Sequence, residues 1–454
     1  MNDDEELLKG PLNKVLMKMA MPTMLSFSFQ ALYDIVDMIF IGQISPSAVA
    51  SITLFSTYFW VIEVFNEIIG SSSVPMISQN FGAGDKQKTS LVCEQTLILK
   101  FLLAGLGAFL MFFTLKPVFS WFSNDAEVIS YGLDYGYVRI LFIPIFFSSY
   151  SVNSIFRCTG NTKTPMKILI ISALINIVLD PILMFDKIPF IGLKGFGWGM
   201  KGAAWATVIS ISFSFFVSFS LLLAGKAPIR IRWKKLFSMN KEIDKKLLLI
   251  GLPFGFNLCL RNVFNFVFMK ILATYGTSAL AIAGVSMRIY GFAMMPQVGF
   301  HSGSGIIIGQ SLGAGDEQRS LDCVKVGRLF CVLFCAFFSV IMIIFSRQIL
   351  SIFIQGQNIL DSDILLIRLL SFSILITAWG TGYSAAFTGS GFLKPTMYAL
   401  IISQFVFMLP FCVIVYFFKL PVSVLWFVFV LGDSSEVFFR FYYYRQMKWI
   451  KSRV

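Results

Sequence analysis

Residues Gln79–Gln87 read QNFGAGDKQ, and Gln310–Gln318 read QSLGAGDEQ, 231 positions later. The same offset carries Pro22 onto Pro253 and the run Ser47-Ala48-Val49-Ala50 onto Ser278-Ala279-Leu280-Ala281. A weaker echo joins Thr159-Gly160 and Pro165 to Thr388-Gly389 and Pro395, with one residue inserted. Matches held at one offset over this length indicate an internal duplication, and a repeat decides architecture before any local reading does.

The repeated unit is apolar. Hydrophobic residues make up 57% of the chain and charged residues 13%, about half the charged share of a soluble domain, and mean hydropathy is +0.78. Too few charges are present to coat a soluble protein of this length, so lipid is the expected solvent. A spanning helix takes about 20 apolar residues. Such runs lie near 12–42, 47–79, 89–119, 127–157, 163–186, 199–225, 242–274, 279–310, 319–350, 361–388, 393–418 and 420–446. The expected fold is an all-α integral membrane protein with twelve transmembrane helices in two pseudo-symmetric six-helix bundles. Six spans return the chain to its starting side, so both copies share one orientation, related by an axis along the membrane normal. The predicted organisation is an N-terminal lobe over 1–225, a linker over 226–241, and a C-terminal lobe with a basic tail over 242–454.

A net charge of +13 raises the question of nucleic acid, but its distribution answers it. Lys and Arg concentrate at the N-terminus, in the even-numbered connections and in the tail. The densest cluster, over 226–246, holds Lys226, Arg230, Arg232, Lys234, Lys235, Lys241, Lys245 and Lys246. The positive-inside rule makes this a topology signal, placing both termini in the cytoplasm of a multi-pass plasma-membrane protein. The N-terminus is acidic (Asp3, Asp4, Glu5, Glu6) and lacks a cleavage pattern, so the first span is expected to act as the insertion signal. Seven cysteines without a CxxC motif read as small apolar residues, and a monomer is expected.

GAGD suits a tight turn between helices. Gly82, Gly84, Gly313 and Gly315 permit the turn, and Asp85 and Asp316 stand where a side chain caps the next helix. The GxGxxG pattern at Gly197–Gly202 follows a membrane loop instead of a strand, which excludes a dinucleotide site. No GxxxxGK[ST] run exists, so uphill transport would draw on an ion gradient. No cofactor is expected beyond a coupling ion.

The duplicated GAGDxQ, Thr159–Met166 (TGNTKTPM), Asn176–Phe185 (NIVLDPILMF) and Gly202–Ser210 (GAAWATVIS) together resemble the MATE multidrug and toxin extrusion transporters over essentially the whole chain. The resemblance implies export of small organic, often cationic, compounds in exchange for Na⁺ or H⁺.

Ionisable residues within spans are functional by default. Asp37 in the first span and Asp180 in the fifth both lie in the outer third, and Thr207 in the sixth lies at the same depth. Asn176 shares a helical face with Asp180, as Tyr33 does with Asp37. Pro181 leaves the Ile177 carbonyl without its usual donor. Carboxylate, amide and hydroxyl oxygens in one layer suit a hard cation such as Na⁺. The resemblance assigns the matching Asp37, Asn176, Asp180 and Thr207 the same role. A proton between two carboxylates out of water relieves their repulsion as a sodium ion does, so the spacing leaves both ions open. The competing reading is a neutral hydrogen-bonded cluster that locks three helices together. Asp34 faces about 100° from Asp37 and reads as a cavity wall or supporting group.

Glu63 and Glu67, with Asn66 beside them, form a second intramembrane pair, read either as contacts for cationic substrates or as ion-pair partners of Arg261. Arg288 and His301 are further cavity candidates, although a lone His is more often a packing residue. At the repeat offset Asp37 falls on Phe268, so ion coupling is expected in the first half alone. The alternatives are a lipid-linked oligosaccharide or polysaccharide flippase of related fold, a channel, and a membrane-embedded enzyme. A single His argues against the enzyme.

Overall fold

The computed structural model describes residues 7–189, 192–231, 238–353 and 360–454. The acidic N-terminus and, within the basic loop, Arg232, Lys234 and Lys235 lie outside the described residues. The described residues hold no β-strand, only a bridge between Lys187 and Lys194.

Ten helices are long and apolar enough to cross a bilayer, and two bent helix pairs bring the number to twelve. In chain order these are α1 (Leu12–Gly42), α2 (Pro46–Gly82), α3 (Lys86–Phe122), the pair α4 (Ala126–Leu141) and α5 (Ile143–Cys158), α6 (Lys163–Met184) and α7 (Gly199–Leu223). The second half gives α8 (Lys241–Ala273), the pair α9 (Thr277–Ala293) and α10 (Met295–Gly313), α11 (Glu317–Ile344) with a short α12 (Ser346–Phe353), and α13 (Asp361–Ser390). It closes with α14 (Lys394–Phe417) and α15 (Val422–Arg445). The pairs bend by 53° and 41°. Pro144 and Pro296 occupy the start of the second helix of each pair. There a missing N–H costs nothing within the new helix but breaks continuity with the old one. The midpoint of α14, Ile402–Met408, is π-helical.

The chain folds as two compact units. The first comprises Leu25–Ser73 and Asp85–Leu248, the second Met1–Met24, Val74–Gly84 and Leu249–Val454. Three of the boundaries fall inside α1, α2 and α8, close to Pro22, Pro75 and Pro253.

The first unit packs α3 through α7 around a core that includes Phe55, Met111, Phe119 and Phe147. Gly132 on α4 has no room for a Cβ against the Phe119 ring. The second unit packs α10, α11, α13 and α15 together, with Phe264, Phe268 and Trp426 in a core of its own.

The two GAGD turns behave alike. Gly84 and Gly315 take φ of +77° and +83°, the left-handed conformation that glycine adopts without strain. Asp85 and Asp316 accept hydrogen bonds from the Lys88 and Arg319 amides, each at 2.8 Å. Gly82 and Gly313 correct the expectation that they serve the turn. Both lie at the ends of α2 and α10, where a Cβ on Gly82 would run into the Gln310 carbonyl and one on Gly313 into the Gln79 carbonyl. Both contacts are inside the second unit, and they require glycine for close approach. The Gln79 side chain binds locally too, donating to the Gly389 carbonyl at 3.1 Å and accepting from the Val454 amide at 3.0 Å.

The GxGxxG run is a cap for α6. Backbone amides of Phe196, Gly197 and Trp198 donate to the carbonyls of Ile182, Phe185 and Leu183 at 2.8–3.1 Å, supplying the partners a helix end lacks.

Candidate functional site

In the first unit, α1 brings Tyr33, Asp34 and Asp37 to a cavity of about 370 Å³ that Glu63 of α2, Tyr135 and Arg139 of α4, and Thr207 of α7 also line. Asn176 and Asp180 stand on α6, buried to 1% and 0% exposure, and Thr207 is 5% exposed. The four-residue spacing puts Asn176 Nδ2 at 3.4 Å from Asp180 Oδ1, to which it donates. Asp180 lies within the electrostatic reach of Asp37. Thr207 Oγ1 donates to the Ala203 carbonyl at 3.0 Å, so its proton is committed and its lone pairs remain.

The orphaned atoms define the chemistry. Asp37 Oδ1, Asn176 Oδ1 and Asp180 Oδ2 are buried and have no hydrogen-bond partner. All three are acceptors. Buried acceptors left without donors cost free energy, and three of them from two helices form a set that a cation or a proton completes. Arg139 is the local counter-charge. It lies in the field of Asp34 and Asp37, and its guanidinium is 5.3 Å from the Phe146 ring centroid.

Glu63 accepts from Asn66 Nδ2 at 2.7 Å through Oε1, while its Oε2 is buried and unpartnered. Glu63 and Glu67 share the field of Lys100 on α3, which is 4% exposed. Lys100 Nζ sits against Gly70, where an added Cβ would lie 3.4 Å away. Lys100 is therefore a counter-charge for this pair within its own unit. Arg261 Nη2 lies 3.8 Å from Glu436 Oε1 on α15. Lys100 was detectable as a lysine inside the third apolar run, as Arg139 was in the fourth.

His301 and Arg261 line a separate cavity of about 460 Å³ in the second unit. His301 Nε2 is 3.3 Å from Thr388 Oγ1. Arg288, by contrast, is exposed on α9 and does not line that cavity. Asp433, Glu436 and Arg440 of α15 do, and the sequence reading passed over all three. Their signal was three charges within the last apolar run.

The MatE family model matches residues 22–182 and again 253–414, together most of the chain, and the two matches begin at the prolines paired by the repeat. Among curated relatives, the "Probable multidrug resistance protein YoeA" of Bacillus subtilis is 28% identical over 84% of this chain and 82% of its own length. The "FAD transporter" of Shewanella oneidensis is 27% identical over 80% and 78%. The "Multidrug export protein MepA" of Staphylococcus aureus is 24% identical over 86% and 84%. The fold matches that of a MOP-superfamily transporter from Pyrococcus furiosus with a TM-score of 0.90, at 22% identity over 98% of each chain. The duplicated family match, the twelve apolar crossings and the likeness to exporters agree: the chain is a membrane transporter, not an enzyme, and belongs to the MatE family of multidrug and toxin extrusion proteins.

Proposed function

We propose that this protein is a secondary active exporter that exchanges small cationic or amphipathic organic compounds for Na⁺ or H⁺ by alternating access. The observation that carries the reading is the set of unpartnered acceptor oxygens on Asp37, Asn176 and Asp180. Thr207 and Tyr33 complete the coupling site, and the ion stands among oxygens that nothing else satisfies.

Asp34, Asp37 and Glu63 outnumber Arg139 along the first unit's cavity, which favours a cation there. In this reading, binding of the ion to the outward-open state relieves the repulsion between Asp37 and Asp180. It changes the packing of α1 beyond Pro22 and favours release of the organic substrate. The ion drives the cycle only through its differential affinity for the two states. The lobes that alternate are those read over 1–225 and 242–454, joined by the 226–241 linker. The protein acts as a monomer in the plasma membrane with both termini in the cytoplasm.

Purified protein in vesicles, loaded with a fluorescent organic cation, tests the exchange with Na⁺ and pH gradients imposed separately. Efflux should respond to at least one gradient. A rate indifferent to both sinks the exchange reading.

A further inference from the structure

A smaller cavity of about 40 Å³ adjoins the first unit's larger one, and Gln30, Tyr33 and Tyr150 line both. Helical spacing builds its wall. Ser149, Asn153 and Arg157 recur every four residues on α5 and so share a face. All three line the cavity, as Ser214 of α7 does. Ser149 Oγ and Asn153 Nδ2 both donate to Ser214 Oγ, at 3.3 and 3.4 Å, and Ser218 donates to Asn153 Oδ1 at 3.1 Å. These neutral groups pair with one another, and Arg157 stands outside their network.

Among the described residues, Arg157 is the one charged group in the lining. Its guanidinium carbon lies 5.6 Å from the Phe27 ring centroid. A ring attracts the charge without accepting its five N–H donors as oxygens would. The acids of the larger cavity are no substitute. Asp34, Glu63 and Glu67 reach Tyr150 with their fields, whereas Tyr150 and the Cys158 thiol are the groups that act on Arg157. Arg157 occupies the last turn of α5, where the helix dipole favours a cation but supplies less than a full counter-charge. An ionised group inside a membrane protein is expected to have a partner of opposite sign, and the cavity beside Arg157 is where one fits.

We propose that the Arg157 end of this cavity binds a small monovalent anion of the chloride type. The guanidinium supplies the charge and most of the donors. The Tyr150 hydroxyl accepts from Gln30 Nε2 at 2.6 Å and keeps its own proton to donate to the anion. Volume selects the class of ligand. A cavity of about 40 Å³ takes particles close to water in size, so a halide enters and an organic anion does not. The bound anion neutralises Arg157 and ties α5 to α1 through Tyr150 and Gln30. The inference is independent of the exchange reading, and its test involves no transport.

The experiment follows melting of detergent-purified protein as sodium gluconate is replaced by sodium chloride at constant sodium and ionic strength. Wild-type melting temperature should rise with chloride along a saturating curve, because a ligand of the folded state stabilises it by mass action. Bromide should act as chloride does. Arg157→Gln should abolish the response. Tyr150→Phe should raise the half-saturating chloride concentration about tenfold, the effect of losing a hydrogen bond to a charged group. Should Arg157→Gln fail to fold, Arg157→Lys carries the comparison with a rise of similar size, since it keeps the charge without the fork of donors. A wild-type melting temperature indifferent to the anion overturns the proposal. So does a response that Arg157→Gln retains in full, or one that climbs without saturating, which is a general salt effect.

Discussion

Gly82 lies against the backbone of Gln310, and Gly313 repeats the contact against Gln79 with the roles of the two copies exchanged. A reciprocal contact of this kind is what a two-fold relation between repeats produces. The GAGD signature thus marks more than a turn, because its first glycine packs against the other copy while its second sets the backbone.

Gly82→Ala and Gly313→Ala should each destabilise the protein by about 1–3 kcal/mol, the usual cost of overpacking. The obstacle is a carbonyl, which cannot rotate aside as a side chain does. Thermal unfolding of the purified protein reads the effect. The double variant should lose less than the sum, since both substitutions strain one junction; strict additivity would mean that the two contacts are independent.

The capping aspartates test the other half of the motif. Asp85→Ala and Asp316→Ala each remove an acceptor from the amide at Lys88 or Arg319. A loss of about 1 kcal/mol is expected for each, and the asparagine variants should retain most of the stability. Both are measurable in the same melting assay, and an alanine variant as stable as wild type would refute the capping role.

Asp37→Asn and Asp180→Asn should reduce gradient-driven efflux to the level of empty vesicles while expression and melting temperature hold. Each change removes the charge that a coupling ion needs but keeps the shape. Efflux at the wild-type rate in either variant would remove that residue from the coupling site.

Lys100→Met leaves Glu63 and Glu67 without their nearby cation in a water-poor interior. A destabilisation of about 3 kcal/mol is expected, as for breaking a buried pair from one side. Adding Glu67→Gln should return part of it, because one of the two uncompensated carboxylates is then gone. No recovery in the double variant would show that Lys100 acts through packing alone.

Part of the candidate site was readable because helical spacing is a local rule. Asn176 and Asp180, four apart, had to share a face, and the structure joins them at 3.4 Å. Asp37, on a different helix, was tied to them by depth alone. For the Glu63 pair the sequence left two readings open, substrate contact or an ion pair with Arg261, and Lys100 belonged to neither. Sequence depth places a charge in a layer, but it does not say which of several charges at that depth turns towards it. Lys100 and Arg261 were both available, and packing chose Lys100 for the glutamates and Glu436 for Arg261.

By itself, the sequence determined the helical class, the twelve crossings and the duplication. These follow from hydropathy and from a repeat offset, neither of which depends on what any side chain touches. It also determined the N-caps, because a cap is made within a few residues of chain. Only the tertiary structure decided that Gly82 and Gly313 serve close approach, that three acceptor oxygens are left unpartnered around Asp37 and Asp180, and that α15 carries a charged wall of its own. Each is a relation between helices distant in sequence, set by side-chain volume and by competition for donors, and no local period records the outcome.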